Sequence, residues 1–262
     1  MEFGAITSRI DVAQVVLYFF WIFFAGLLFY LRREDRREGY PLISDAIGTA
    51  KDHGFIWIPA PKTFNLADGR KVTVPNGKAD TRLVKASPAE PWSGAPLRPT
   101  GNPMADGVGP GAYALRADIA DVTYEGHARI VPLRAAAGFM IEPRDPDPRG
   151  MMVVGADGQT AGQVVDAWVD RSECLLRYLE VAVGSSAGAA KTGKRVLLPM
   201  TFSVIDRQRN RVAVHALLAN QFAAVPATKS PETVTLLEEE RIVGYYGGGT
   251  LFATPSRQEP LL

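Results

Sequence analysis

The residues whose types and spacing could do chemistry are Asp170, Glu173 and Arg177, which fall around one strand connection. Neighbouring carboxylates titrate as a coupled group over a broad range, which suits holding protons near neutral pH. Spacing alone also supports a plainer reading, an exposed ion pair between Glu173 and Arg177 of little energetic weight. Histidine exchanges protons most readily near neutral pH, and the chain has 3. His127 follows Glu125 by two residues, and this imidazole–carboxylate pair could hold a borderline metal such as zinc weakly at the surface. His53 and His215 have no motif around them, and His215 reads as a packed or edge-exposed strand residue. Cys174 reads as a half-buried small residue rather than a redox group. No Ser-His-Asp order, metal-ligand cluster or nucleotide loop is visible, so an enzyme is not expected. Gly247-Gly248-Gly249 is not part of a phosphate-binding GxxxxGK[ST] pattern, and close backbone packing is the better reading.

Composition narrows the classes further. Lys+Arg of 29 against Asp+Glu of 28 leaves a net charge of +1, which gives no reason to expect nucleic acid as a partner. With 262 residues at 47% hydrophobic content, the chain can bury a real core. Its single cysteine forms no intramolecular disulfide and no Cys-rich zinc site, so folding requires no oxidising compartment.

The elements that must position these residues begin with 12–31, VAQVVLYFFWIFFAGLLFYL, a stretch without charge. At about 1.5 Å per residue, a helix of this length crosses a hydrocarbon core about 30 Å thick. A cleaved signal peptide would have a shorter apolar region ending in small residues, whereas Arg32 and Arg33 follow here. Arg32, Arg33, Arg36 and Arg37 after the span outweigh Arg9 before it, which predicts a periplasmic N-terminus and a cytoplasmic remainder. With Tyr30 and Tyr40, these arginines form a collar suited to anionic lipid headgroups.

The organisation read from the sequence is a periplasmic 1–11, a transmembrane helix with basic collar over 12–36, and a Pro/Gly-rich extended segment over 37–110. A β-barrel over 111–220 and a C-terminal helix and tail over 221–262 follow. Phe55, Trp57, Phe64 and Trp92 mark the extended segment as one that lies on a partner surface rather than a free linker. Short apolar runs at 130–133, 151–154, 162–169, 175–183, 195–200 and 211–217 give an all-β rhythm. In 162–170, Val164, Asp166, Trp168 and Asp170 form a mixed face that alternates with apolar Val165, Ala167 and Val169. Closing such strands into a small barrel removes exposed edges. Ser230 as cap and Pro231 in the first turn predict a helix that runs to about Val243 and stops at Gly244.

Several segments in order carry a family likeness: LRREDRREGYPL after the span, Pro61-Lys62-Thr63-Phe64, PTGNPMADGVGP at 99–110 and DPDPRG at 145–150. GQVVDAWVDRSE at 162–173, RYLEV at 177–181 and TLLEEERIVGYYGGGTLFATP at 235–255 continue it. Across nearly its full length the chain resembles the H subunits of the purple-bacterial photosynthetic reaction centre, and its central strands resemble PRC-barrel domains. The resemblance implies one N-terminal transmembrane α-helix plus a mainly β cytoplasmic domain, a small PRC-type β-barrel, with a C-terminal helix. It implies a subunit that binds no cofactor itself and caps the L and M subunits, which carry bacteriochlorophyll, bacteriopheophytin, quinone and non-haem iron. Further implied partners are the light-harvesting antenna ring, a cytochrome subunit and membrane lipids. By resemblance, Glu173 is the acid closest to the proton cluster of the secondary quinone, with Asp170 and Arg177 as neighbours. His127 matches a surface histidine associated with proton uptake, and Glu125 stands where relatives often carry a second histidine.

Overall fold

The structure, a computed structural model, describes residues 7, 11–42, 56–66, 69–78, 80–92, 94–184 and 193–258. Most of 1–11, together with His53 and Phe55, lies outside the described residues. The chain forms two compact units, Met1–Thr81 and Arg82–Leu262.

In the first unit, helix α1 (Val12–Glu34) begins at Asp11, whose carboxylate caps the backbone N–H of Gln14 at 2.7 Å. No residue of α1 is buried by the fold, although Phe19 and Ile22 are about 70% exposed. A helix apolar on all sides and uncovered by its own chain belongs in a hydrocarbon environment. After its last turn the chain is tied back to its end. Arg37 bonds Glu34 at 2.8 Å and the carbonyls of Ala60 at 2.7 Å and Val74 at 3.3 Å, and Arg36 bonds the carbonyl of Ile56. Strands β1 (Lys62–Asn65) and β2 (Lys71–Val74) pair as an antiparallel hairpin, with the Thr63 and Thr73 hydroxyls bonded at 2.8 Å.

The second unit opens with a small hairpin, β3 (Ala86–Pro88) and β4 (Leu97–Pro99), and the short helix α2 (Pro103–Asp106). Its centre is a seven-stranded sheet: β5 (Ile130–Pro132), β6 (Met152–Val154), β7 (Thr160–Asp170), β8 (Leu175–Val183), β9 (Arg195–Pro199), β10 (Val204–Asp206) and β11 (Arg211–Ala213). Pairing follows the order β10, β11, β6, β7, β8, β9, and β5 joins β7 at Trp168–Asp170's end through the partners Ile130 and Asp170. The two terminal strands of that path, β9 and β10, are joined by the single turn Met200–Phe202, so the sheet curls round one core. Val153, Val164, Leu179, Leu198, Val212 and Phe222 fill that core at 0% exposure.

Both faces of the second half of β7 are buried, which turns its mixed face into an internal charge network. Asp166 and Glu180 hold Arg134 at 2.9 and 2.6 Å, and Arg195 adds a second bond to Glu180 at 2.7 Å. A buried acid tolerates that position only when paired in this way.

Three local expectations are corrected. The last strand ends at Ala213 rather than 217, and His215 is exposed in a bend where its carbonyl accepts from Arg257 at 2.8 Å. Cys174 is exposed rather than half-buried and adopts a positive φ of 54° in the tight turn between β7 and β8. The C-terminal helix α3 is Leu236–Phe252, and its cap is Thr235 rather than Ser230, in a capping box with Glu238. Its run continues through Gly244, Gly247, Gly248 and Gly249, against their weak intrinsic helix preference. Packing outweighs propensity there: a Cβ on Gly244 would sit 2.8 Å from the Gly111 carbonyl, and one on Gly247 2.6 Å from that of Pro110. The backbones of two distant segments therefore touch where side chains cannot fit.

Candidate functional site

One end of β7 and β8 gathers the acids singled out above. Asp170, the last residue of β7, has a fully buried side chain that accepts from Arg129 Nε at 3.0 Å and from the backbone N–H groups of Ser172 at 2.9 Å and Glu173 at 3.0 Å. Burial alone would raise its pKa, but the Arg129 and backbone hydrogen bonds outweigh it and hold the carboxyl below its ordinary range. Asp170 is thus held toward its charged form. Glu173, in the following turn, is about half exposed and meets Arg129 Nη2 at 2.5 Å. The Glu173–Arg177 pair is not formed; Arg177 Nε instead lies 3.9 Å from Asp170. The structure therefore brings Asp170, Glu173 and Arg177 together, with Arg129 as the hub.

Sequence reasoning missed that hub. Arg129 precedes β5, and its backbone carbonyl accepts from Arg171 N–H at 3.0 Å, which fixes it beside the β7–β8 turn. Its third acidic partner is Asp121 at 3.2 Å, and its backbone N–H bonds the Asp121 carbonyl at 2.8 Å. Asp121 follows Ala120, which bridges Thr235 at the start of α3. Long-range pairing of this kind leaves no spacing signal in the chain.

Beside the hub lies a cavity of about 250 Å³ lined by Arg116, Asp121, Arg129, Arg177, Tyr178 and Glu239, among others. Tyr178 Oη donates to Glu239 Oε2 at 2.7 Å across the β8–α3 contact. Burial pushes the Glu239 carboxyl above its ordinary range, against the Tyr178 hydrogen bond and the positive charges of Arg177 and Arg116. Burial, with the Glu239 charge adding to it, likewise raises the Tyr178 phenol. Glu239 was not among the residues that the sequence singled out.

His127 and Glu125 occupy a tight turn closed by the bond from Thr123 N–H to the His127 carbonyl at 2.8 Å, two residues before Arg129. Glu125 is exposed and held below the ordinary carboxylate range, chiefly by its own backbone N–H, with His127 contributing less. Among the described residues no three His, Cys, Asp or Glu side chains group to hold a metal, so this pair would offer at most two protein ligands.

At the end of α1, Arg32 is 65% exposed and pairs with Asp35, while Arg37 is 12% exposed and turned into its own unit. Arg33 lies 6.0 Å from the Tyr30 ring and 5.9 Å from that of Trp57, and Arg36 lies 5.3 Å from Tyr40.

Residues 4–135 match the family model of the photosynthetic reaction centre H-chain N-terminal region. The chain belongs to this reaction-centre H-chain family. Residues 140–220, which hold β6 to β11, match the PRC-barrel domain. The H chain is a non-pigment, structural subunit of a light-driven complex and associates with the L and M subunits. Among the described residues one helix, α1, is long and apolar enough to cross a membrane, which fits a single-pass membrane protein of this family.

Proposed function

We propose that this H chain caps the L and M subunits on the cytoplasmic side, stabilises their quinone sites and supports proton delivery to the secondary quinone. The observation that carries this reading is the Arg129 hub, where one guanidinium holds Asp121, Asp170 and Glu173 within 3.2 Å. A quinone reduced twice takes up two protons in a site shielded from water, so protons must cross titratable groups at the covering surface. Asp170 sets the local field, while half-exposed Glu173 exchanges protons. Arg177 tunes both, and the turn with His127 and Glu125 is where protons are collected from solvent.

In the same reading, the N-terminus is periplasmic and 37–262 cytoplasmic, with 1–11, 12–36, 37–110, 111–220 and 221–262 as its successive parts. Arg32 and Arg33, with Tyr30 and Tyr40, meet anionic lipid headgroups; Arg36 and Arg37 fix the segment after the span to the helix end. The chain performs no chemistry of its own, and the electron carriers belong to L and M.

Glu173→Gln keeps the shape and removes the ionisable proton. In assembled reaction centres it is expected to slow the second, proton-coupled electron transfer about tenfold or more and to leave the first charge separation unchanged. Flash spectroscopy showing both rates unaltered between about pH 6 and pH 9 would reject the role.

A further inference from the structure

The cavity beside the hub contains a group that the reading above does not use. We propose that the Glu239 carboxyl, held by the Tyr178 hydroxyl in that cavity, is a proton-holding station that feeds the carboxylates bound to Arg129. This rests on the proton-delivery reading and extends it from the β7–β8 turn to helix α3.

Geometry carries the assignment. Glu239 and Asp121 line one cavity of about 250 Å³, and Arg129, which also lines it, bonds Asp121 at 3.2 Å and Glu173 at 2.5 Å. At about 30 Å³ per molecule, the space takes several waters among polar walls, enough to bridge groups not in direct contact. The charged and titratable groups around Glu239 are Tyr178 and Arg177 from β8, Arg116, Asp121 and Arg129 from the segment before β5, and Glu240 from α3 itself. The first turn of α3 and the arginines favour its charged form, whereas burial and Asp121 favour its neutral one. The net effect is to raise the affinity of Glu239 for a proton.

Each cycle is conservative. The Glu239 carboxylate takes one proton from a cavity water, which is replenished by a solvent hydronium ion, and forms a carboxylic acid. That acid returns its proton through water to Asp121 or Glu173, restoring the carboxylate, and no electron moves on this chain. Two passes supply the two protons of a quinone reduced by electrons from L and M.

The test uses whole reaction centres carrying Glu239→Gln, Tyr178→Phe or Glu173→Gln, with flash-induced proton uptake and the second electron-transfer rate followed from about pH 5 to pH 9. Glu239→Gln is expected to remove one uptake component and slow the second transfer severalfold at the alkaline end. Tyr178→Phe removes a donor that stabilises the carboxylate, so the same component should persist with its midpoint moved to higher pH. A merely structural contact would not produce that shift. If Glu173→Gln slows transfer while both other variants retain the wild-type pH profile, the Glu239 station is overturned and the delivery reading stands. If all three profiles coincide with wild type, both fail.

Discussion

Arg129 and Glu173 meet at 2.5 Å, although 43 intervening residues separate them in the chain and the bond spans two different turns. The same guanidinium holds Asp170, so a half-exposed acid and a fully buried one share a counter-ion. This arrangement makes their roles separable by mutation.

Asp170→Asn should cost about 2–3 kcal/mol of stability at neutral pH, because it leaves Arg129 without its buried partner while Asp121 and Glu173 still compensate in part. The folded-state pKa of Asp170 is depressed, so its contribution is present above the unfolded carboxylate range near about pH 4 and is lost as pH falls through the folded value. Melting curves of wild type and variant should therefore converge in acid. An equal gap at all pH values would show that the charge is not what stabilises the site.

Gly249→Ala tests the helix seat. Its Cβ would stand 2.5 Å from both the Ala216 carbonyl and a Leu217 methyl, so overpacking should exceed the gain in helix propensity and destabilise the unit by about 1–3 kcal/mol. Thermal unfolding of the assembled complex reads this out. A more stable variant would contradict the close backbone contact.

Protease added to the cytoplasmic face of sealed membranes stripped of L and M should digest the bulk of the chain, because the arginines concentrate after the span. Digestion from the periplasmic face alone would reverse the topology.

Zinc should slow proton uptake weakly, at higher concentration than in relatives with two histidines at this turn, since Glu125 offers oxygen in place of a second imidazole. His127→Ala should remove most of the inhibition when compared at one pH, because protons and metal compete for the ring. Equally tight inhibition in the variant would move the metal, and the uptake point, elsewhere.

Much of this fold was legible because its signals are local. The run 175–183 coincides with β8, Leu175–Val183, and the uncharged 12–31 lies within α1. The family segments pointed to Asp170 and Glu173, which the fold brings onto one guanidinium. What escaped depends on contacts between distant residues. Arg129 gains three acids only when the loop at 121, the β7–β8 turn and β5 converge, and Glu239 becomes special only under Tyr178. Gly244 misled as a helix stop for the opposite reason: its local preference is plain and is overruled by the backbone of Gly111, whereas Gly247, Gly248 and Gly249 make the close backbone packing expected of them.

That glycine-lined contact also sets an order of events during synthesis. The segment at 103–111 leaves the ribosome long before α3, so it waits without its seat while the β-strands between them are made. By then α1 has long been available to the bilayer, and the domain completes its folding as a tethered object whose search is confined to the membrane plane. The wall carrying Glu239 is the last to be delivered, so the proton-holding cavity closes only on a chain that is already anchored.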